Sequence, residues 1–238
     1  MGSSARKVEY SLDVAGLEIQ VIQKAMKTVR FTVYPPDGRI RVAAPIHLKR
    51  SQVLQFIQQR IPWMKKQKLR VASLKLAPAP EYIEGETHLY LGQSRKLVFG
   101  DVAQAGVRGK QLVLPAKYKG NASRLEKTLE SLYRKAMKEF MERRIPFWEK
   151  EMSVRVKAHG VRKMKTLWGS CNVRTHRIWL NLELARMSEK CIEAILVHEM
   201  VHLKERLHNH RFYGFMNTYL PDWMEREKEL KEIGVRYY

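Results

Sequence analysis

Residues 191–203 read Cys-Ile-Glu-Ala-Ile-Leu-Val-His-Glu-Met-Val-His-Leu. On a helix, His198 and His202 would lie about 40° apart around the axis and about 6 Å apart along it. Two imidazole nitrogens could then face one ion from a rigid support. Glu199 would project about 100° away, beside the ion, where a carboxylate can polarise a water on the metal and take its proton. The apolar neighbours Ile192, Ile195, Leu196, Val201 and Leu203 make this a largely buried helix. Unpaired His and Glu are costly there unless a metal or hydrogen bonds satisfy them. The competing reading is an exposed helix that happens to carry two histidines. With eight His in the chain, chance supplies roughly 0.02 such patterns, which favours the metal site.

Catalytic zinc takes three protein ligands and keeps one position open. His208 is the first candidate for the third, because HExxH, five residues and a His is the ligand spacing of metzincin proteases. On a straight helix His208 would be rotated by about 240° from His202, so the chain must turn before it. Metzincins have Gly where this sequence has Glu205. Asn209 tolerates left-handed backbone but comes too late to make the turn. His210 competes for the role, and Glu225 or Glu227 is a weaker choice. His47, His88, His159 and His176 lack such company and read as surface or core histidines.

Trp168-Gly169-Ser170-Cys171 is a second unusual cluster. Gly169 suits a tight turn or close backbone approach. Cys171 could sit near the metal, although a free Cys is often a small buried hydrophobe. The segment Arg177 to Leu182 reads as a strand just ahead of the metal helix. It is either an ordinary core strand or one that pairs with an extended substrate backbone.

The elements that must hold these residues are legible as alternating patterns. Val8 to Val14, Leu17 to Gln23, Thr28 to Tyr34 and Arg39 to Ala44 read as strands, with a turn at Pro35-Pro36-Asp37-Gly38. Leu48 to Ser73 reads as a helix bent at Pro62, followed by a stiff linker, Leu76 to Pro80. Thr87 to Leu91, Arg95 to Phe99 and Gln111 to Leu114 read as short strands, and Ala122 to about Met152 as a helix. Arg162 to Leu167 and Arg177 to Leu184 are expected to form a hairpin around a loop from Trp168 to His176. Ser188 is the expected N-cap of a metal helix running to about Arg206, with another helix from near His210.

The balance of 45 Lys and Arg against 24 Asp and Glu, a formal +21, favours polyanion partners such as nucleic acid or nucleotides. A solubilising basic surface is the plainer account. Two cysteines, no long apolar run and no apolar leader make a cytoplasmic protein without a membrane span the expectation.

Taken together, Trp168-Gly169-Ser170-Cys171, Ile178-Trp179-Leu180-Asn181, His198-Glu199-x-x-His202-Leu203 and His208-x-x-x-Phe212 resemble the YgjP-like metallopeptidase family, related to SprT-like and WLM zinc peptidases. Pro35-Pro36-Asp37-Gly38, Ala44-Pro45, Trp63 and Tyr90-Leu91-Gly92 extend the likeness over nearly the whole chain. The resemblance implies an α+β fold: a β-rich part with one helix over residues 1–115, then a zincin-like core of long helix, small sheet and HExxH helix over 116–238. It implies His198, His202 and His208 as ligands of Zn²⁺ or another divalent transition metal, Glu199 as general base, and a polypeptide substrate. Family members often carry Pro-Asn before the third His and Ser after it, where this chain has Arg206-Leu207 and Asn209. Two other functions stay open. One is a metal-dependent nucleotide pyrophosphohydrolase or phosphohydrolase, the other a nucleic-acid-associated protein with a structural metal.

Overall fold

The computed structural model describes residues 7–34, 37–73, 80–164 and 167–234. Pro35 and Pro36 of the expected turn, and Leu76 to Ala79 of the expected linker, lie outside them. The fold is mixed α+β, with five α-helices and three small sheets among the described residues. Its contacts divide the chain into two compact units, one ending at Ala77 and one spanning Pro78–Gly234.

In the first unit, β1 (Val8–Val14) and β2 (Leu17–Lys24) form a hairpin. Ala15 and Gly16 both have positive φ there, at 53° and 74°, as a two-residue primed turn demands. β4 (Arg39–Pro45) pairs parallel to β2 and antiparallel to β3 (Arg30–Tyr34), so the sheet order is β1-β2-β4-β3. Helix α1 (Arg50–Ser73) continues through Pro62 and buries Val53, Ile57 and Met64 against Ile19, Val21, Ile40 and Val42. The buried Gln23 is satisfied by donating to the carbonyls of Leu48 and Pro45, at 2.8 and 3.3 Å.

The second unit opens with the sheet β5-β6-β8-β7, made of Thr87–Tyr90, Gln93–Gly100, Gln111–Pro115 and the short Gly106–Arg108. This sheet shares the contact unit Pro78–Gly234 with the helix of the paired histidines. Tyr133 of α2 (Ala122–Met152) donates to the Leu89 carbonyl at 2.7 Å, and the Leu91 amide donates to the Ala185 carbonyl at 2.7 Å. Gly92, at φ 79°, lies so close to Ser188 that an added Cβ would sit 2.8 Å from the Ser188 Cα. Only glycine permits that approach.

Residues 165 and 166 lie outside the described residues, and among those described Arg162 to Leu167 does not form the expected hairpin with Arg177 to Leu184. β9 is Ala158–Arg162 and pairs parallel to β11 (Arg177–Asn181). The hairpin partner of β11 is β10 (Gly169–Asn172), inside the segment read as a loop. Small and polar residues give β10 almost no propensity signal, while Asn172 closes the turn by accepting from the Arg174 and Thr175 amides at 3.1 and 3.0 Å. Leu182–Arg186 is a 3₁₀ turn, not a continuation of the strand.

Helix α3 (Glu189–Val201) starts where Ser188 Oγ accepts from the Cys191 amide at 3.3 Å. It is anchored through Glu193. Arg144 Nε of α2 donates to this carboxylate at 2.7 Å, Trp148 Nε1 at 3.2 Å, and an Arg226 guanidinium nitrogen of α5 (Trp223–Gly234) at 2.9 Å. Burial pushes the Glu193 carboxyl up, but the bonds from Arg226 and Arg144 outweigh it and hold the group below its ordinary range. Removing the carboxylate would leave Arg144 and Trp148 Nε1 without this acceptor and Arg226 with only the Asp222 carboxylate, in a half-buried site. Glu193→Ala is therefore expected to cost about 1–3 kcal/mol, read as a lower denaturant midpoint. A cost within experimental error would show that α2, α3 and α5 are held by packing alone.

Candidate metal centre

The metal helix ends at Val201, not near Arg206. His202 caps it, and the chain tightens through i to i+3 bonds, with the Leu203 amide on the Met200 carbonyl at 3.0 Å and the Lys204 amide on the Val201 carbonyl at 2.8 Å. Glu205, at the position where glycine was the expected residue, braces the turn from both ends. Its carbonyl lies 3.2 Å from His202 Nδ1, and its carboxylate accepts from the Leu207 amide at 3.2 Å. Asn209 then caps α4 (His210–Tyr219) by accepting from the Arg211 and Phe212 amides at 3.0 and 3.1 Å.

The result is that His208 swings back onto the helix. Ligand atoms of His198, His202 and His208 all lie within 4.8 Å of one another, with His208 Nε2 3.0 Å from His198 Nε2. Among the described residues His210, Glu225, Glu227 and Cys171 do not join this group. The fully buried Phe212 supports it, its ring centroid 4.9, 4.7 and 4.6 Å from those of His198, His202 and His208. The sequence motif contained Phe212, but nothing in it revealed that one phenyl ring touches all three imidazoles.

The donor set suits a divalent transition ion, for which neutral imidazole is a preferred ligand. Burial, reinforced by His202 and His208, pushes His198 down to about 4, and burial also lowers His202. Both rings are thus neutral at ordinary pH. A Nδ1–H of His202 donated to the Glu205 carbonyl leaves Nε2 as the lone pair toward the cluster, the arrangement in which a second hydrogen bond orients a ligand.

Glu199 is only 6% exposed, and burial pushes its carboxyl up to about 8. Gly169 makes room for it, since a Cβ there would lie 2.6 Å from Glu199 Oε1. Asn181, fully buried, pins the segment ahead of Gly169. Its amide nitrogen donates to the Met164 and Leu167 carbonyls at 3.0 and 2.8 Å, while its oxygen accepts from the Met164 amide at 3.2 Å.

Titration follows from these environments. In chelator-treated protein, ionising Glu199 opposes folding, because its folded value of about 8 exceeds the ordinary 4.5. Stability is therefore lost as pH rises through that window. His198 acts oppositely, losing stability as pH falls from 6.5 toward about 4. From pH 6.5 to 8 the histidine effect is spent and the buried thiols, pushed up from 9.0 to about 11, have barely begun to act, so the Glu199 effect dominates. Between pH 6.5 and 8 the metal-free wild type should lose on the order of 2 kcal/mol relative to Glu199→Gln. Parallel unfolding curves for the two proteins would show that Glu199 is not strained by burial.

Two cavities meet at the cluster and share Leu167, Gly169, His198 and Glu199. One, of about 250 Å³, has mostly apolar walls that include Met216, Trp223 and Leu230. The other runs along β10 past Ser170, Cys171 and Asn172 and carries Arg174 and Arg206. β11 is paired on both sides, so it cannot receive a further strand. β10 is the edge. Cys171 is half-buried in this groove, and burial with the neighbouring Glu199 pushes its thiol up to about 11. His88 is buried against Glu86, and His176 lies 2.8 Å from the Arg155 carbonyl. Neither His88 nor His176 is part of the cluster.

A helix carrying two histidines one turn apart, with a third returned by a tight turn and a glutamate beside them, forms a group able to hold a metal ion. The sequence matches the YgjP-like metallopeptidase domain over residues 27–233, and the chain belongs to that family. No curated protein sequence matches it significantly. Membership implies a metal-dependent enzyme with a divalent ion. Among the described residues no helix is long and apolar enough to cross a membrane.

Proposed function

We propose that the chain is a zinc metallopeptidase in which His198, His202 and His208 hold the ion and Glu199 is the general base. The observation that carries this reading is the convergence of three imidazoles beside one buried carboxylate, on a groove edged by an open strand. Zinc bound there would supply Lewis acidity, polarising a carbonyl and making water acidic near neutral pH. Glu199, largely shielded from solvent, accepts a proton from the attacking water and delivers it to the leaving amine. The outer edge of β10 offers its backbone amides and carbonyls to an extended polypeptide, which would bring a peptide bond past His198 and Glu199. A structural zinc usually has four protein ligands, and only three candidates converge among the described residues.

Arg174 and Arg206 on the same groove favour a second reading, hydrolysis of an anionic nucleotide. Zinc-loaded protein incubated with an unfolded polypeptide and with nucleoside triphosphates separates the two. New peptide amino termini that vanish in His198→Ala are expected. Phosphate or pyrophosphate release without peptide cleavage would make the nucleotide reading correct.

A further inference from the structure

Charge in this protein is unevenly distributed. Residues 1–77 carry 15 Lys and Arg against four Asp and Glu, so a third of the chain holds +11 of the +21. The 24-residue helix α1 contains six basic residues and no acidic one. A solvated helix that only needed solubility would mix the signs and gain i,i+4 pairs.

The arrangement on α1 is more specific than its charge. Val53, Ile57 and Met64 are fully buried in the core of the unit. The exposed flank beside this buried face carries Phe56, Arg60, Trp63, Lys66 and Arg70, which recur at helical spacing and form one stripe along the axis. Phe56 is 42% exposed and Trp63 is 37% exposed. The two rings are about 10 Å apart along the helix, with Arg60 between them. Among the described residues no carboxylate pairs with Arg60 or Lys66. At the start of the stripe, Phe56 and Arg60 also wall a groove of about 450 Å³, floored by Val29, Phe31 and Leu48 and rimmed by Lys27 and His47.

We propose that this stripe and groove form a binding face for single-stranded nucleic acid, with bases against Phe56 and Trp63 and phosphates on Lys27, Arg60 and Lys66. Exposed aromatic rings alternating with cations suit unstacked bases on a charged backbone, since every base has a face to stack. A duplex hides those faces. An anionic bilayer fits less well, because the apolar side of α1 is already buried in its own unit and cannot enter lipid. This inference is independent of the metal centre.

The test uses the full-length protein and a fluorescent 20-nucleotide oligothymidine, read by anisotropy. Binding should weaken steeply with added salt, and the same strand annealed to its complement should bind less tightly. Phe56→Ala with Trp63→Ala should reduce affinity at least about 10-fold and leave the salt slope unchanged. Trp63→Phe should restore most of the Trp63 contribution, which a folding defect would not allow. Arg60→Gln with Lys66→Gln should instead flatten the slope by about 1.4. Absence of binding at low salt would overturn the proposal. So would duplex binding as tight as single-strand binding, wild-type affinity in the aromatic double variant, or preference for phosphatidylglycerol vesicles over the oligonucleotide.

Discussion

Glu199→Gln is expected to retain its metal and to lose hydrolytic activity by about 10²-fold or more. The substitution keeps the side chain's size, so the close packing against Gly169, where even a Cβ would come within 2.6 Å of Oε1, is preserved. What is lost is the capacity to accept a proton. In chelator-treated protein glutamine also removes the burial cost that pushes the carboxyl up to about 8, so there the variant should be no less stable than the wild type above neutral pH. Activity and stability would then move in opposite directions, which separates a missing base from a damaged fold. Metal content measured on the same preparation completes the test. Full activity in the variant would remove Glu199 from the mechanism, and loss of metal would make it a ligand.

His208→Ala should weaken metal affinity by more than about 100-fold, while His210→Ala leaves it near the wild-type value. Substitution of residues that merely orient ligands already costs 10- to 100-fold, and a direct ligand should exceed that. The geometry distinguishes two neighbours that spacing alone could not. His208 Nε2 lies 3.0 Å from His198 Nε2, whereas His210 opens α4 and is outside the cluster. Competition against a chelator of known affinity reads both variants. A reversed pair of results would assign the third position to His210, and two unaffected variants would return attention to a carboxylate.

Much of this centre could be read in the sequence because it rests on local periodicity. The i, i+4 histidines, the Ser188 cap and the long apolar face of α2 are all short-range patterns. The features that escaped detection depend on tertiary context. β10 has Ser, Cys and Asn where a strand would normally show branched or aromatic residues, and it forms because Asn181 and β11 hold it. Glu205 gave no sign that its carbonyl and carboxylate would brace the turn, since both roles arise only after the helix has ended. The contact division at Ala77 likewise depends on tertiary context. A β-rich composition runs on past it, and only the contacts with α2 and the 3₁₀ turn reveal which sheet belongs to which unit.

The close approach of Gly92 to Ser188 has a consequence for assembly. The N-cap Ser188 is packed by a hairpin almost a hundred residues upstream in the chain, and Gly92 and Leu91 donate their amides to the turn just before the helix. Closing so long a loop is an entropic cost that local helix formation does not offset. A fragment beginning after this hairpin would carry all three histidines yet lack the surface against which their helix starts. With the proposed ligands, tight metal capture would therefore report that the whole second unit has been brought together, making ion uptake a readout of completed folding.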